Sequence, residues 1–197
     1  MRALPNWRGR TAVCIASGPS LTVEDCEFVR GAGLPTIVTN TTFRIAPWAD
    51  VLFGFDYKWW RVHLAEVRAT FSGRLFCQSN RWPSRYLEWP GMARGYRSFG
   101  NSGANAVSLA VVLGASRVVL LGYDCQLTGG RSHHHGDHPE PFANCDKLPQ
   151  WPLQFERLGR WASARGIPVV NASRESALTC FDRVPLELAL SPARVAA

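Results

Sequence analysis

The chain has 197 residues, 46% of them hydrophobic and 19% charged, with a formal net charge of +7. That much apolar surface builds one sizeable core and excludes a disordered chain, and no run approaches the ~18 apolar residues that a membrane-crossing helix needs. Six cysteines with no CxxC pair exclude a zinc ribbon and a small disulfide scaffold, and the opening "MRALPNWRGRTAVCIASG" lacks a secretory h-region, so a cytoplasmic protein with reduced thiols is expected.

In chain order, "TAVCIAS" (11–17) reads as a strand that stops at "GPS", and "LTVEDCEFVRGAG" (21–33) has helical spacing and ends in glycines. "LPTIVTN" (34–40) and "ADVLFGFD" (49–56) are the next strands, followed by an amphipathic helix over 57–71 and the strand "GRLFCQ" (73–78). Residues 79–100 have no sustained period and read as an irregular excursion. "NSGANAVSLAVVLGA" (101–115) is a helix buried on most sides, and "SRVVLLGYD" (116–124) is the clearest strand. A His-rich loop over 125–148 follows, then a helix over 148–166, the strand "IPVVNAS" (167–173) and a short helix over 184–190, with fraying expected after it. Apolar strands alternating with helices predict a single α/β domain over 1–197: a Rossmann-like, doubly wound, mostly parallel sheet with helices on both faces.

In such a sheet, ligands bind beyond the carboxyl ends of the strands. The polar residues fall there: Ser17-Gly18-Pro19-Ser20, then Asn40-Thr41, then Asp56, with Asn101-Ser102-Gly103 opening a helix and Asp124 ending the clearest strand. Gly18 permits close backbone approach to an anion, and amides at the start of a helix suit a phosphate; plain turn and cap chemistry fits the same residues. The pattern is neither GxGxxG nor a Walker motif.

The loop "RSHHHGDHP" supplies His133, His134, His135, His138 and Asp137. His134 and His138 have i, i+4 spacing, but Gly136 and Pro139 oppose a helix, so a zincin-type site is not supported. Alternate side chains of an extended segment face opposite ways, which leaves one or two imidazoles for chemistry as a general base, with a neighbouring Asp to fix the tautomer. Solvent-exposed histidines and a structural metal site are the other readings. The basic charge favours anionic partners from nucleotide to nucleic acid. The eight tryptophans, several beside arginine in "WWRVH" and "NRWPSRYLEWP", suit either core packing or stacking on bases and sugars.

"IASGPSL" (15–21), "TNTTFRIAPWADVLFGFD" (39–56) and "NSGANAVSLAVVLGASRVVLLGYD" (101–124), in this order, resemble the bacterial CMP-sialic-acid-dependent sialyltransferases of glycosyltransferase family 42. They also resemble the domain family of the archaeal 6-hydroxymethyl-dihydropterin diphosphokinase, and small phage and prophage proteins that share "HHHGDHP" and "VVNASRESAL". The first resemblance implies that Gly18, Pro19 and Ser20 lie by a nucleotide phosphate, that Asn40, Ser102 and Gly103 contact nucleotide or sugar, and that a downstream His is the base. The chain departs from that family in placing its histidines soon after Asp124 and in carrying "CQLTGG" where phosphate-holding tyrosines would follow. The second implies Mg²⁺ held on a triphosphate by Asp56 and Asp124.

The expectation is therefore a transferase using a nucleotide-activated donor, foremost a nucleotide-sugar-dependent glycosyltransferase with a His general base. Its catalytic set is His133, His135, His138, Asp137 and Asp124. Its donor-binding set is Ser17, Gly18, Pro19, Ser20, Asn40, Thr41, Asp56, Asn101, Ser102 and Gly103. The alternatives are Mg-dependent phosphoryl or diphosphoryl transfer and a non-catalytic, phage-type nucleic-acid-binding protein; a nucleic acid is among the acceptors that the charge admits.

Overall fold

In the computed structural model, which describes residues 3–79, 85–136 and 147–191, the apolar runs are the strands of one sheet. These are β1 (Thr11–Ile15), β2 (Thr36–Thr39), β3 (Val51–Gly54), β4 (Arg74–Cys77), β5 (Arg117–Leu121), β6 (Val169–Asn171) and β7 (Asp182–Arg183). Their order is β4-β3-β2-β1-β5-β6-β7, and every neighbouring pair is parallel. The chain winds outward from β1 to β4, then returns to β5 on the other side of β1. The loops after β1 and β5 therefore diverge from adjacent strands, which makes a topological switch point.

The helices are α1 (Val23–Ala32), α2 (Tyr57–Thr70), α3 (Ser102–Val112), α4 (Trp151–Ser163) and α5 (Leu186–Leu190). Strand residues alternate between two cores, as a period of two requires. Ala12, Cys14, Val118 and Leu120 pack with α3 and α4 on one face; Val13, Ile15, Val119 and Leu121 pack with α1, α2 and α5 on the other. Helix α3 is buried from Ala104 to Val111, which explains why its sequence is alanine-rich and nearly free of charge.

Two features depart from expectation. The strands end earlier than the apolar runs, so Ser17, Asn40, Asp56 and Asp124 all lie just past a strand. The edge strand β7 was not foreseen, because its two exposed residues, Asp182 and Arg183, carry no apolar period. Helix α1 opens on a capping box: the Asp25 amide donates to Thr22 Oγ1, and the Thr22 amide donates to the Asp25 carboxylate, each at 3.2 Å.

The irregular excursion, described from residue 85, is tied down by polar contacts. Glu88 pairs with the Arg74 guanidinium, Tyr96 donates to Gln78 at 2.6 Å, and buried Asn105 accepts the Phe99 amide at 2.7 Å. Trp7, Trp59, Trp60 and Trp161 are core residues, as the packing reading had it, whereas Trp89 is exposed.

Candidate functional site

Beyond the carboxyl ends of β1, β2, β3 and β5 lies a cavity of about 240 Å³. Its wall includes Ser17, Gly18, Pro19, Asn40 and Asp56, together with Asn101, Ser102 and Gly103 at the start of α3, and Asp124 and His133 from the loops after β5. Residues far apart in the chain are thus brought together largely as the strand-end argument expected. Asn40 (φ 47°) and Cys125 (φ 52°) are the only non-glycine residues with positive φ among the described residues, and both line this cavity. Left-handed backbone in a side-chain-bearing residue is strained, and such strain concentrates at binding sites.

The loop after β1 is built differently from the expected phosphate cradle. The Gly18 amide donates to the Gly122 carbonyl at 2.8 Å, and the Ser20 amide and hydroxyl each donate to the Asp124 carboxylate at 2.8 Å. Thr128 adds a third donor to Asp124 at 3.3 Å. The two switch-point loops therefore clamp each other. A Cβ on residue 18 would lie 2.2 Å from Asp124 Oδ1, so the packing of the two loops itself requires glycine here. Asp124 is only 1% exposed; burial pushes its carboxyl up, and the Ser20 and Thr128 hydrogen bonds oppose that shift.

Helix α1 begins only at Val23 behind its own cap, so its dipole is not aimed from residues 18–20. At α3 the situation is reversed. Asn101 caps only the Ala104 amide, at 2.8 Å, and the first-turn amides of Ser102 and Gly103 have no acceptor among the described residues. The Ser102 hydroxyl accepts the Phe55 amide at 3.1 Å and donates to Asn40 Oδ1 at 3.2 Å, so the ends of β2 and β3 are locked to the start of α3.

The His-rich loop turns tightly through Gly129 and Gly130, both at positive φ, with Thr128 and Arg131 exchanging backbone hydrogen bonds. It then folds back on β1: the His134 amide donates to the Ser17 carbonyl at 3.0 Å, and Ser17 Oγ lies 3.2 Å from His133 Nδ1. His133 and His135 stack at 5.1 Å, with His134 edge-on to His135 at 5.0 Å; the segment turns here instead of running extended, the Gly136 amide donating to the His133 carbonyl at 3.1 Å, so neighbouring rings meet. Burial pushes His134 down to about 4, so it is neutral at pH 7.

Three expected residues do not line the cavity. Ser20 is spent on Asp124, Thr41 is buried at 2% exposure with its hydroxyl unpartnered, and His135 lies behind His133, stacked on it. Asp137 and His138 lie outside the described residues. A Mg²⁺ ion on Asp56 and Asp124 does not fit: both Asp124 oxygens already accept hydrogen bonds, and no three ligand side chains converge among the described residues.

The wall also holds residues that the sequence reading passed over. Phe55, Tyr123, Trp151 and Phe155 make it partly apolar, and Lys147, one of two lysines in the chain, brings a cation. The Tyr123 hydroxyl donates to the Gly103 carbonyl at 3.1 Å, and burial holds its pKa well above the usual value. The one available signal was position, since Tyr123 adjoins the strand-ending Asp124 and Lys147 closes the His-rich loop.

No protein-family model matches the sequence, and no curated protein does. Among solved structures, the chain is similar to the sialyltransferase CstII from Campylobacter jejuni in complex with a substrate analogue, CMP-3FNeuAc. The TM-score is 0.56 at 12% identity, covering 89% of this chain and 86% of that one. A second similarity, to UDP-glucose 4-epimerase from Brucella ovis in complex with NAD, has a TM-score of 0.34 at 13% identity and covers 83% of this chain and 51% of that one. At 12% identity, the likeness to the sialyltransferase is one of fold: a parallel, doubly wound sheet.

Proposed function

We propose that the cavity binds a nucleotide-activated donor, foremost a nucleotide sugar, and that the protein transfers the activated group to an acceptor hydroxyl. The observation that carries this reading is the pair of first-turn amides, Ser102 and Gly103, that have no acceptor among the described residues and stand in the wall of a cavity at the topological switch point. Such amides, at the positive end of an 11-residue helix, suit a phosphate leaving group and need no metal. Lys147 supplies the matching cation, and Trp151 and Phe155 offer aromatic surface to a base or sugar. The fold shared with a sialyltransferase bound to a CMP-sugar analogue supports the same reading.

The chemistry follows from the groups in the wall. The donor phosphate, held by the α3 amides and Lys147, departs as charge builds on its oxygens, and preorganised donors lower that barrier. His133, in its neutral form, takes the proton of the attacking hydroxyl. Asn40, held by Ser102, has its side-chain NH₂ available for a phosphate or sugar oxygen.

Isothermal titration with CMP, UDP and ATP, each with and without Mg²⁺, tests the reading. The expected result is metal-independent binding of a nucleoside mono- or diphosphate that weakens when Lys147 is neutralised. Binding only of triphosphate with Mg²⁺, or of no nucleotide at all, would overturn it.

A further inference from the structure

We propose that Ser17 is a nucleophile and His133 its base, which gives the cavity a serine-dependent cleavage of carboxylic esters. The inference goes beyond nucleotide binding and does not rest on it. Ser102, in the same wall, spends its hydroxyl on Asn40 and the Phe55 amide, and Ser20, behind the wall, spends its own on Asp124. The Ser17 hydroxyl instead meets an imidazole nitrogen, 3.2 Å away. Nor does it cap a helix, because α1 is capped by Thr22.

The backbone around Ser17 is held on both sides. Its carbonyl accepts the His134 amide at 3.0 Å, and the Gly18 amide next to it is bonded to Gly122 at 2.8 Å. His133 is 9% exposed, and its ring plane is set by the stack on His135 at an interplanar angle of 21°. In the Nε2–H tautomer, Nδ1 is an acceptor, and the serine proton points to it; this is the nucleophile–base arrangement of covalent catalysis. Ser17, His133 and the Ser102 and Gly103 amides, which have no acceptor among the described residues, all line one cavity, so donors for an oxyanion stand in the same space as the nucleophile. Phe55, Tyr123, Trp151 and Phe155 provide an apolar wall for an acyl or aryl group.

In the first half-reaction, Ser17 Oγ bonds to the ester carbonyl carbon as its proton passes to His133 Nδ1 and the carbonyl π pair moves onto oxygen. Collapse of this tetrahedral species breaks the bond to the alkoxy oxygen, which leaves with the proton from His133. Water then attacks the acyl-serine, gives a proton to His133, and releases the carboxylic acid as Ser17 recovers its proton. The net reaction is ester plus water to acid plus alcohol, with no oxidation or reduction.

An alkyl fluorophosphonate probe, which phosphonylates activated serines, tests this on the full chain, with the adduct mapped by mass spectrometry. The expected result is an adduct on Ser17 that is absent in Ser17→Ala and forms at least ~10-fold more slowly in His133→Ala. No adduct on Ser17, or an undiminished rate in His133→Ala, overturns the proposal. A second measurement does not depend on His133→Ala folding. In Ser17→Cys, iodoacetamide alkylation of residue 17 should titrate below the ordinary thiol pKa of ~8.5, and a midpoint at or above that value also overturns it. Neither measurement involves a nucleotide, so failure here leaves the titration in the preceding section to decide that reading separately.

Discussion

Replacing Gly18 by alanine tests the clamp between the two switch-point loops. The new Cβ would sit 2.2 Å from Asp124 Oδ1 and 2.5 Å from the Gly122 carbonyl oxygen, against a floor of 3.0 Å for real Cβ contacts. Asp124 must retreat by about 0.8 Å, and it cannot do so without loosening the 2.8 Å bonds from the Ser20 amide and hydroxyl. Gly122 is backbone, bonded to the Gly18 amide itself, so it has little freedom to yield. Overpacking costs about 1–3 kcal/mol, and weakening two hydrogen bonds to a buried carboxylate adds about 1.5–3 kcal/mol. The expected destabilisation is about 2.5–6 kcal/mol, or a fall in Tm of roughly 5–24 °C for a chain of this size. Urea denaturation at pH 7 measures it. Gly31→Ala, on helix α1 with nothing within 4 Å of its Cβ, is the control and should be neutral or stabilising by up to about 1 kcal/mol. A Gly18→Ala protein within about 0.5 kcal/mol of the original would refute the clamp.

Other perturbations separate structure from binding. Ser20→Ala should cost about 1–3 kcal/mol while changing nucleotide affinity less than about twofold, because its donors face Asp124. Its pH dependence has a defined sign: the folded Asp124 carboxyl already lies above its unfolded value, and losing Ser20 Oγ raises it further, so stability should fall more steeply as pH rises through the carboxylate range. Lys147→Met should weaken nucleotide binding by about tenfold, about 1.4 kcal/mol, with the melting temperature unchanged, as calorimetry and a thermal melt would show. His134, held near 4 by burial, takes up its proton less readily folded than unfolded, so stability should drop as pH falls from about 6.5 to 4. In His134→Phe that part of the slope, about 2 kcal/mol after allowance for partial exposure, should vanish from denaturation curves recorded across the window. Cys125→Gly relieves a strained left-handed residue and should stabilise the fold by about 1 kcal/mol while weakening nucleotide binding; a loss of stability would remove strain from the account of this site.

The strands and the place of the cavity were legible because both follow from local pattern. Apolar runs such as "VVLL" commit a segment to a parallel sheet, and the first polar residue after each run must emerge at the carboxyl edge. Ser17, Asn40, Asp56 and Asp124 emerge there. The partners they choose were not legible. Ser20 and Asp124 are 104 residues apart, and nothing local to "SGPS" indicates that its donors are claimed by a carboxylate on another strand. Thr41 was misplaced for a smaller reason: the chain enters a tight turn over residues 40–44 directly after β2, which rotates Thr41 into the core while Asn40 stays at the cavity. Strand β7 was missed because two exposed residues have no period to read.

The clamp also bears on which side of the cavity suits a phosphate. A glycine followed by serine after a first strand suggests a phosphate loop because its amides are assumed to be unclaimed, yet each amide can serve only one acceptor well. Here Asp124 is that acceptor for Ser20, and Gly122 is that acceptor for Gly18. An anion placed against the same loop would face the Asp124 carboxylate at close range and would be repelled unless that group were protonated. The first turn of α3 offers the opposite arrangement: amides with no acceptor among the described residues, a neutral Asn101 cap, and Lys147 in the same wall. Under the proposed function, an incoming phosphate would find its counter-charge on the α3 side, while the β1 side holds Ser17 against His133.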